Sequence, residues 1–356
     1  MLTSCSSEQK KALHHKQREA DSQTLDRIIP LKVDQNEFQK IAGWLATDTV
    51  AYIKKVSDES QVYAYNLTTG EQKLLFKTTE PIIDVHISPT YSKLLIHTAP
   101  FTYAANIYII NHAGTILYEK TIDSFEIEFS WNNQDDNLVL ITAFFEDWSY
   151  EVKLLHIAGK TLKTIEVSQP FQKWFHKDML ISQGWDAEEA DLHAPLVGSF
   201  IDELERKNIL LEDIYYFDTF SKLLFAITVS EEEEGEATYH FYNEKLNEIG
   251  HVKVPLLISQ YSDWLIPYYD LMPAQKSFLY FTPYQSDDEK KEDTYRLIQY
   301  DLENKKQYII GEQLGNAPIS CAANSKNCLY GFQFEKLIRT DSNEIVPLVI
   351  TNETSS

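Results

Sequence analysis

The best candidate for a ligand site is a nine-residue segment, Trp185 to His193, which combines an aromatic ring, four carboxylates and an imidazole. Carboxylate oxygens suit a hard cation such as calcium, and a tryptophan beside carboxylates suits a sugar or a cationic ligand. The spacing lacks the register of a calcium-binding loop, so a solvated acidic loop is the alternative. The predicted ligand-binding residues are Trp185, Asp186, Glu188, Glu189, Asp191 and His193.

Two aromatic segments are a second candidate surface. Phe144 to Tyr150 and Tyr261 to Tyr269 are rich in Phe, Tyr and Trp. Exposed together on one face, they would form a platform for a carbohydrate or a peptide. The competing interpretation is packing between structural units, where aromatic side chains dominate.

The sequence contains no recognisable catalytic or metal-binding motif. It has no histidine pair with the helical spacing of a zinc site, no Gly-Xaa-Ser-Xaa-Gly elbow, no Walker loop and no dinucleotide-binding glycine pattern. The acidic runs Glu231 to Glu236 and Asp287 to Asp293 predict solvated loops, with weak calcium binding as the alternative. We therefore predict no cofactor, and we assign no catalytic residue.

The three cysteines have two predicted roles, one shared by a pair and one belonging to a single residue. Cys321 and Cys328 flank Ala322 to Asn327, and a symmetric hairpin centred on that segment would place the two directly opposite each other. Opposed residues of an antiparallel pair lie close enough for a disulfide, so a bridge is possible here; two reduced thiols are the alternative. Cys5 is different, because Leu2-Thr3-Ser4-Cys5 resembles a bacterial lipobox, in which small residues precede a cysteine that receives a lipid.

The N-terminal region predicts an anchor followed by a tether. A lipoprotein signal needs an apolar run before its cysteine, and only Met1 to Ser4 precede Cys5. We therefore expect the natural signal to begin upstream or to have been trimmed, which makes residues 1–7 its remnant. Residues 8–37 are polar and charged without a core pattern, which predicts a flexible, disordered tether.

Composition excludes several classes of partner. The 356-residue chain has a formal net charge of −22, which opposes any approach to a phosphate backbone, so we predict no nucleic-acid partner. No apolar stretch reaches the roughly 18 to 20 residues that span a bilayer, so the only predicted membrane contact is a lipid on Cys5. Aromatic residues make up 13% of the chain, which favours strands.

An internal repeat of about 45 residues defines the predicted fold. Each unit begins with a strand, a polar turn and a second apolar strand, followed by a hairpin such as Val62 to Leu75. The fourth unit departs from this pattern, since Glu188 to Glu212 predicts a partial helix with Ser199 as its N-cap. Residues 38–356 therefore predict an all-β propeller of six to seven four-stranded blades, with two stacked β-sandwiches as the alternative. The repeats begin near Phe38, Ile82, Phe125, Phe171, Asp213, Tyr268 and Pro318.

Several of these features resemble one family. The start Leu2 to Cys5, the charged tether, the Ser88-Pro89 turn before Lys93 to Ile96, and Gln183 to Asp186 are similar to the YqgU-like lipoproteins of Gram-positive bacteria. The resemblance covers nearly the whole chain. It implies a six-bladed propeller and brings no catalytic residues.

Together these features predict an extracytoplasmic, monomeric lipoprotein on the outer face of the cell membrane. Its propeller would bind an envelope protein, a peptide or a glycan without catalysis. The alternative is a hydrolase or lyase acting on envelope glycan or peptide, with acids contributed by several blades, since propellers also host enzymes.

Overall fold

The computed structural model describes residues 28–186, 192–229, 235–258, 264–284, 294–323 and 326–352. Within these ranges the chain forms seven four-stranded antiparallel sheets and two two-stranded sheets. No helix in the described part is long and apolar enough to cross a membrane. The all-β propeller prediction is confirmed, and the prediction of stacked sandwiches is not.

Each four-stranded sheet, or blade, consists of four strands that follow one another in the chain. The strand β1 (Leu31–Asp34) precedes the blades. Blade 1 contains β2 (Phe38–Ala46), β3 (Thr49–Val56), β4 (Glu59–Asn66) and β5 (Gln72–Thr78). Blade 2 contains β6 (Ile82–Ile87), β7 (Lys93–Phe101), β8 (Ala104–Asn111) and β9 (Ile116–Asp123). Blade 3 contains β10 (Glu126–Trp131), β11 (Leu138–Phe144), β12 (Tyr150–His156) and β13 (Thr161–Ile165).

The remaining blades follow the same order. Blade 4 contains β14 (Lys173–His176), β15 (Met179–Gln183), β16 (Ala194–Phe200) and β17 (Asn208–Ile214). Blade 5 contains β18 (Tyr216–Phe220), β19 (Leu223–Val229), β20 (Glu236–Asn243) and β21 (Glu248–Pro255). A small hairpin of β22 (Leu257–Ile258) and β23 (Trp264–Leu265) precedes blade 6. Blade 6 contains β24 (Tyr269–Met272), a short 3₁₀ helix (Pro273–Gln275), β25 (Ser277–Pro283), β26 (Tyr295–Asp301) and β27 (Lys306–Leu314). Blade 7 contains β28 (Ile319–Cys321), β29 (Asn327–Tyr330), β30 (Lys336–Arg339) and β31 (Glu344–Pro347), and β32 (Val349–Asn352) ends the fold.

Burial within a blade follows the position of each strand. In β11, six of the seven residues are buried, because both faces of this second strand lie against neighbouring blades. In β12 exposed and buried residues are mixed, and the outer strand β13 contains no buried residue. The hydrophobic core is therefore divided into clusters that lie between adjacent sheets. One such cluster joins Ile107 and Ile109 of blade 2 to Val139 and Ile141 of blade 3.

The first strands of neighbouring blades contact one another, as β2 does with β6 and β28, so these strands line a central channel. Because strands alternate in direction within a blade, the connection between its second and third strands lies at the end where its first strand begins. We call this end of the propeller the upper face. The connections between the first and second strands lie at the lower face.

The ring closes without a strand shared between the first and last blades. The parallel pair β1 and β32 lies outside the blades and joins the two ends of the described chain. A buried cluster at this seam combines Leu31, Ile41 and Trp44 with Leu329 and Leu337 of blade 7. Closure therefore depends on side-chain packing and on this two-stranded clasp.

Two predictions are wrong in detail. The helix expected within Glu188 to Glu212 is absent from the described part of that segment, because β16 and β17 complete blade 4 and Ser199 pairs with Leu180 in its ladder. The ordered chain also begins before Phe38, since β1 lies inside the segment predicted as tether. Residues 1–27, including Cys5, lie outside the described residues.

Candidate functional site

A belt of polar side chains lies near the start of the seven first strands, with one member from each blade. The three aspartates of this belt, Asp84, Asp218 and Asp270, share a local geometry. In each, a carboxylate oxygen accepts a hydrogen bond from the backbone N–H of the following residue. This recurrence shows that they occupy equivalent positions in their blades. The belt consists of Lys40, Asp84, Glu128, Lys173, Asp218, Asp270 and Ser320.

Two ion pairs of the belt connect adjacent blades. The Lys40 ammonium lies 2.6 Å from an Asp84 carboxylate oxygen, and the Lys173 ammonium lies 2.5 Å from Asp218. About a third of each lysine side chain is exposed, so such pairs add little to stability. Burial lowers the pKa of Lys173, but the charge and hydrogen bond of Asp218, together with Tyr216 and Glu128, outweigh burial and raise the net pKa. The pairs therefore fix where positive charge lies in the channel.

Asp270 is the belt carboxyl with the most altered acidity. Burial, together with the charge of Asp218, raises the pKa of Asp270 to about 7, although it accepts hydrogen bonds from the N–H groups of Cys321 and Leu271. A carboxyl that titrates near neutral pH is able to act as a general acid or base. The neighbouring Tyr269 hydroxyl donates a hydrogen bond to Asp218 at 2.7 Å. Burial is the main cause of the raised pKa of this tyrosine, and the negative charge of Asp218 raises it further.

Two cavities open along the channel wall. The larger, of about 510 Å³, lies against blades 7, 1, 2 and 3, and its walls include Trp44, His86 and Trp131. The smaller, of about 320 Å³, lies against blades 3, 4 and 5, and its walls include Glu128 and Phe171. Both volumes fall within the roughly 300 to 1,000 Å³ typical of ligand pockets. We call the smaller one the side cavity.

Exposed aromatic side chains surround the upper mouth of this channel. Among the described residues, ten Phe, Tyr and Trp side chains are exposed, and only Phe200 and Tyr308 of these lie away from the upper face. The other eight belong to blade starts or to connections between second and third strands. This aromatic rim consists of Phe101, Tyr103, Phe125, Trp148, Phe171, Trp185, Tyr268 and Phe332.

Trp148 is the most exposed member of the rim, with 93% of its surface accessible. Its backbone has a φ of 66°, a left-handed conformation that is unusual for a bulky residue. The turn is held by Asp147, whose carboxylate accepts hydrogen bonds from the backbone N–H and the hydroxyl of Ser149. The local hydrogen bonds thus hold an exposed tryptophan away from the core in a strained conformation. This arrangement indicates a contact surface.

The structure describes three of the predicted ligand residues, all in the connection between β15 and β16. Trp185 joins the rim, and its carbonyl accepts a hydrogen bond from Gln169. His193 lies half-buried, with Nδ1 3.1 Å from an Asp213 carboxylate oxygen and its ring edge-on to Tyr215. Asp186 is exposed at the upper face. Glu188, Glu189 and Asp191 lie outside the described residues, so this ligand site remains a prediction.

The aromatic and acidic segments have mixed outcomes. Trp148 of the first aromatic segment lies in the rim, whereas Tyr269 of the second packs on Phe278 within the core. Most of the two acidic runs, residues 231–234 and 287–293, lies outside the described residues. Within the described ranges, no group of three or more His, Cys, Asp or Glu side chains has the arrangement of a metal site.

Cys321 and Cys328 form a disulfide in blade 7, with their sulfur atoms 2.07 Å apart. The two residues are direct partners in the pairing of β28 with β29, as a hairpin centred between them requires. Cys321 lines the larger cavity, and its N–H donates to Asp270. The bridge therefore fixes the channel wall where blade 7 meets blade 6.

Comparisons with known proteins agree with the propeller fold. The family described as the YqgU-like 6-bladed beta propeller domain matches residues 66–331. The uncharacterized lipoprotein YqgU of Bacillus subtilis (strain 168) is 27% identical over 342 residues, which cover 95% of this chain and 92% of that protein.

Solved structures share the fold. The uncharacterized protein lmo1340 from Listeria monocytogenes EGD-e has a TM-score of 0.85 at 24% identity, covering 92% of this chain and 99% of the other. The β-propeller domain of the Trilobed protease from Pyrococcus furiosus, which has an open velcro topology, has a TM-score of 0.57 at 13% identity, with coverages of 92% and 99%.

The number of blades differs from the family description. The described chain has seven four-stranded sheets, so the six blades implied by the family resemblance are wrong for this chain. The strands of blade 7 are short, at three or four residues each, yet β28 contacts both β24 and β2 and occupies its own sector of the ring.

Proposed function

The chain belongs to the YqgU-like propeller family, and on this premise we propose that it is a lipid-anchored, extracytoplasmic protein whose upper face binds another envelope component. The bound component is a protein, a peptide or a glycan, and binding involves no catalysis. The anchor is a lipid on Cys5, which holds a monomeric propeller at the outer face of the membrane. The lipobox-like sequence around Cys5 and the name of the Bacillus relative support this location.

The single observation that carries this proposal is the one-sided distribution of exposed aromatic side chains. Solvent-exposed aromatic rings leave apolar surface in contact with water. A large patch of such rings on a soluble protein usually marks an interaction surface. Here eight rings surround the mouth of a channel with a polar wall. Aromatic side chains provide much contact area at little entropic cost, which suits either a polypeptide or a sugar ring.

Replacing the three most exposed rim residues by alanine is expected to weaken binding at least tenfold without unfolding the protein. The variant combines Phe101→Ala, Trp148→Ala and Phe332→Ala, whose exposed fractions are 76%, 93% and 73%. Exposed side chains contribute little to the core, so each change should alter the free energy of unfolding by less than about 0.5 kcal/mol. Binding to fractionated envelope extract and to a glycan array is the measurement, and the expected loss is at least tenfold.

A matched control carries Leu74→Ala, Phe200→Ala and Tyr308→Ala, which remove exposed apolar side chains away from the upper face. This control should bind as the unmodified protein does. Equal binding by the rim variant and the control, or no retained component in either assay, would contradict the proposal.

A hydrolase or lyase is the second candidate, and the acidity of Asp270 favours it. A carboxyl with a pKa of about 7 is suited to proton transfer at neutral pH. If this candidate is correct, Asp270→Asn should lower product release from envelope glycan or peptide by at least a hundredfold, whereas Asp84→Asn should not. Chromatography of the soluble products would detect turnover, and its absence in the unmodified protein would exclude this candidate.

A further inference from the structure

We propose that the side cavity binds the lysine or arginine side chain of a basic polypeptide segment, whose flanking apolar residues lie on the aromatic rim of blades 3 and 4. This inference deepens the proposed function and rests on it, because it names the chemistry of the component bound at the upper face.

The first step concerns the charges in the side cavity. Its charged groups are Glu128, Lys173 and Asp218, so the cavity carries a net negative charge. The Lys173 ammonium is held 2.5 Å from Asp218 and lies over the rings of Tyr216 and Phe217. Among the described residues, none forms a hydrogen bond or ion pair with the Glu128 carboxylate. Glu128 is exposed and lines the cavity, and its charge acts on Lys173 without pairing with it, so its carboxylate is accessible to a second cation.

The second step concerns the aromatic wall beside Glu128. Phe129 and Phe171 line the same cavity, and 64% of the Phe171 side chain is exposed. Phe171 is fixed from behind by Phe144, with the ring centroids 5.5 Å apart. A cation near an aromatic face gains electrostatic stabilisation, which increases when water is excluded. A carboxylate together with an exposed ring is thus complementary to an ammonium or guanidinium group.

The third step identifies the source of the cation as a polypeptide. Exposed carboxylates continue outward from the cavity across the upper ends of blades 3 and 4, which favours a ligand with several positive charges. Aromatic side chains of the rim from the same two blades lie among these carboxylates. They provide apolar contacts that a polypeptide is long enough to make and a small cation is not. A neutral glycan would gain nothing from this charge. The carboxylates are those of Glu126, Glu146, Asp147, Glu166 and Asp186.

The test uses the full chain and a series of capped peptides. The probe is acetyl-Phe-Arg-Phe-Lys-amide, compared with an analogue in which citrulline and norleucine replace the two basic residues. Isothermal titration calorimetry at low salt should show binding of the basic peptide that is at least tenfold tighter than binding of the neutral analogue. Raising the salt concentration should weaken binding of the basic peptide.

Substitutions then locate the contact. Glu128→Gln should weaken binding of the basic peptide at least tenfold, and Glu128→Lys should abolish it. Glu119→Gln removes an exposed carboxylate from the outer strand β9 and should leave binding unchanged. Circular dichroism spectra that match the unmodified protein would show that each variant is folded.

Several results would overturn the inference. Equal affinity for the basic and neutral peptides, undetectable binding of both, or unchanged binding by Glu128→Gln would each do so. Preferential binding of chitohexaose, a neutral glycan probe, would also overturn it and would leave the proposed function intact. Conversely, a rim variant that still captures its envelope component would refute the proposed function, whatever the peptide series shows.

Discussion

Replacing Trp44 by alanine is expected to lower the free energy of unfolding by about 3 to 5 kcal/mol, as is typical of large core aromatics. Trp44 is 2% exposed and belongs to the cluster between blades 1 and 7. Its indole N–H donates to the Ser320 carbonyl of blade 7 at 2.8 Å. Because no strand is shared across this seam, the loss of this side chain removes both apolar contact and a hydrogen bond from the closure of the ring. Urea unfolding followed by tyrosine fluorescence or circular dichroism measures the change.

A second variant separates ring closure from ordinary core packing. Trp174 is 1% exposed, and its indole N–H donates to the Ser130 carbonyl of the preceding blade, so Trp174→Ala removes the same kind of contact away from the seam. Both alanine variants should be destabilised similarly. Only Trp44→Ala should accelerate hydrogen exchange in β1 and β32, which clasp the seam. Unchanged exchange in those strands would show that closure does not depend on Trp44.

Much of the architecture could be predicted because a blade is a local structure. Its four strands are consecutive and its turns are short, so apolar alternation and polar turns within about 45 residues are sufficient to define it. The predicted starts at Phe38 and Ile82 are the first residues of β2 and β6, and the start predicted at Tyr268 lies one residue before β24. Blade 4 misled the prediction because its charged, leucine-containing segment after Ser199 has helical propensity. Pairing of Ser199 with Leu180 in the sheet overrides that local preference.

The candidate site was harder to predict because it is assembled from residues far apart in the chain. The rim unites side chains from Phe101 to Phe332, which only closure of the ring brings to one face. A signal for the belt was present, since Lys40, Asp84 and Glu128 recur every 44 residues. Spacing alone does not show that these charges line a channel, because the side chain of a strand residue can face either side of its sheet.

Replacing Asp136 by alanine is expected to lower the free energy of unfolding at pH 7 by about 2 to 3 kcal/mol, since it removes the acceptor of three hydroxyl groups, of which that of Ser88 is buried. Asp136 is 8% exposed in the connection after β10. Its carboxylate accepts hydrogen bonds from the hydroxyls of Ser88 at 2.9 Å and Ser92 at 2.6 Å, and from that of Thr90. The residue thereby ties the Ser88-Pro89 turn of blade 2 to blade 3.

The pH dependence of this effect follows from the acidity of Asp136. Burial raises the pKa of Asp136, but the hydrogen bonds from Ser92, Thr90 and Ser88 outweigh burial and hold it below its usual value. A carboxyl whose pKa is depressed in the folded state stabilises the fold fully above its unfolded pKa of about 3.9. That contribution is lost as pH falls through the lower, folded value. The difference in stability between the unmodified protein and Asp136→Asn should therefore be constant near neutrality and shrink below about pH 4.

Denaturant unfolding of the Asp136 variants between pH 7 and pH 3 measures this dependence. Asp341→Asn is the matched control, because Asp341 forms an exposed pair with Lys326 at 3.6 Å and should change stability by less than about 0.5 kcal/mol. If Asp136→Ala is no more destabilising than this control, the three hydroxyls must find other acceptors, and the turn cannot depend on Asp136. A difference that instead grows as the pH falls would contradict the depressed pKa, because protonation would then strengthen the link between blades 2 and 3.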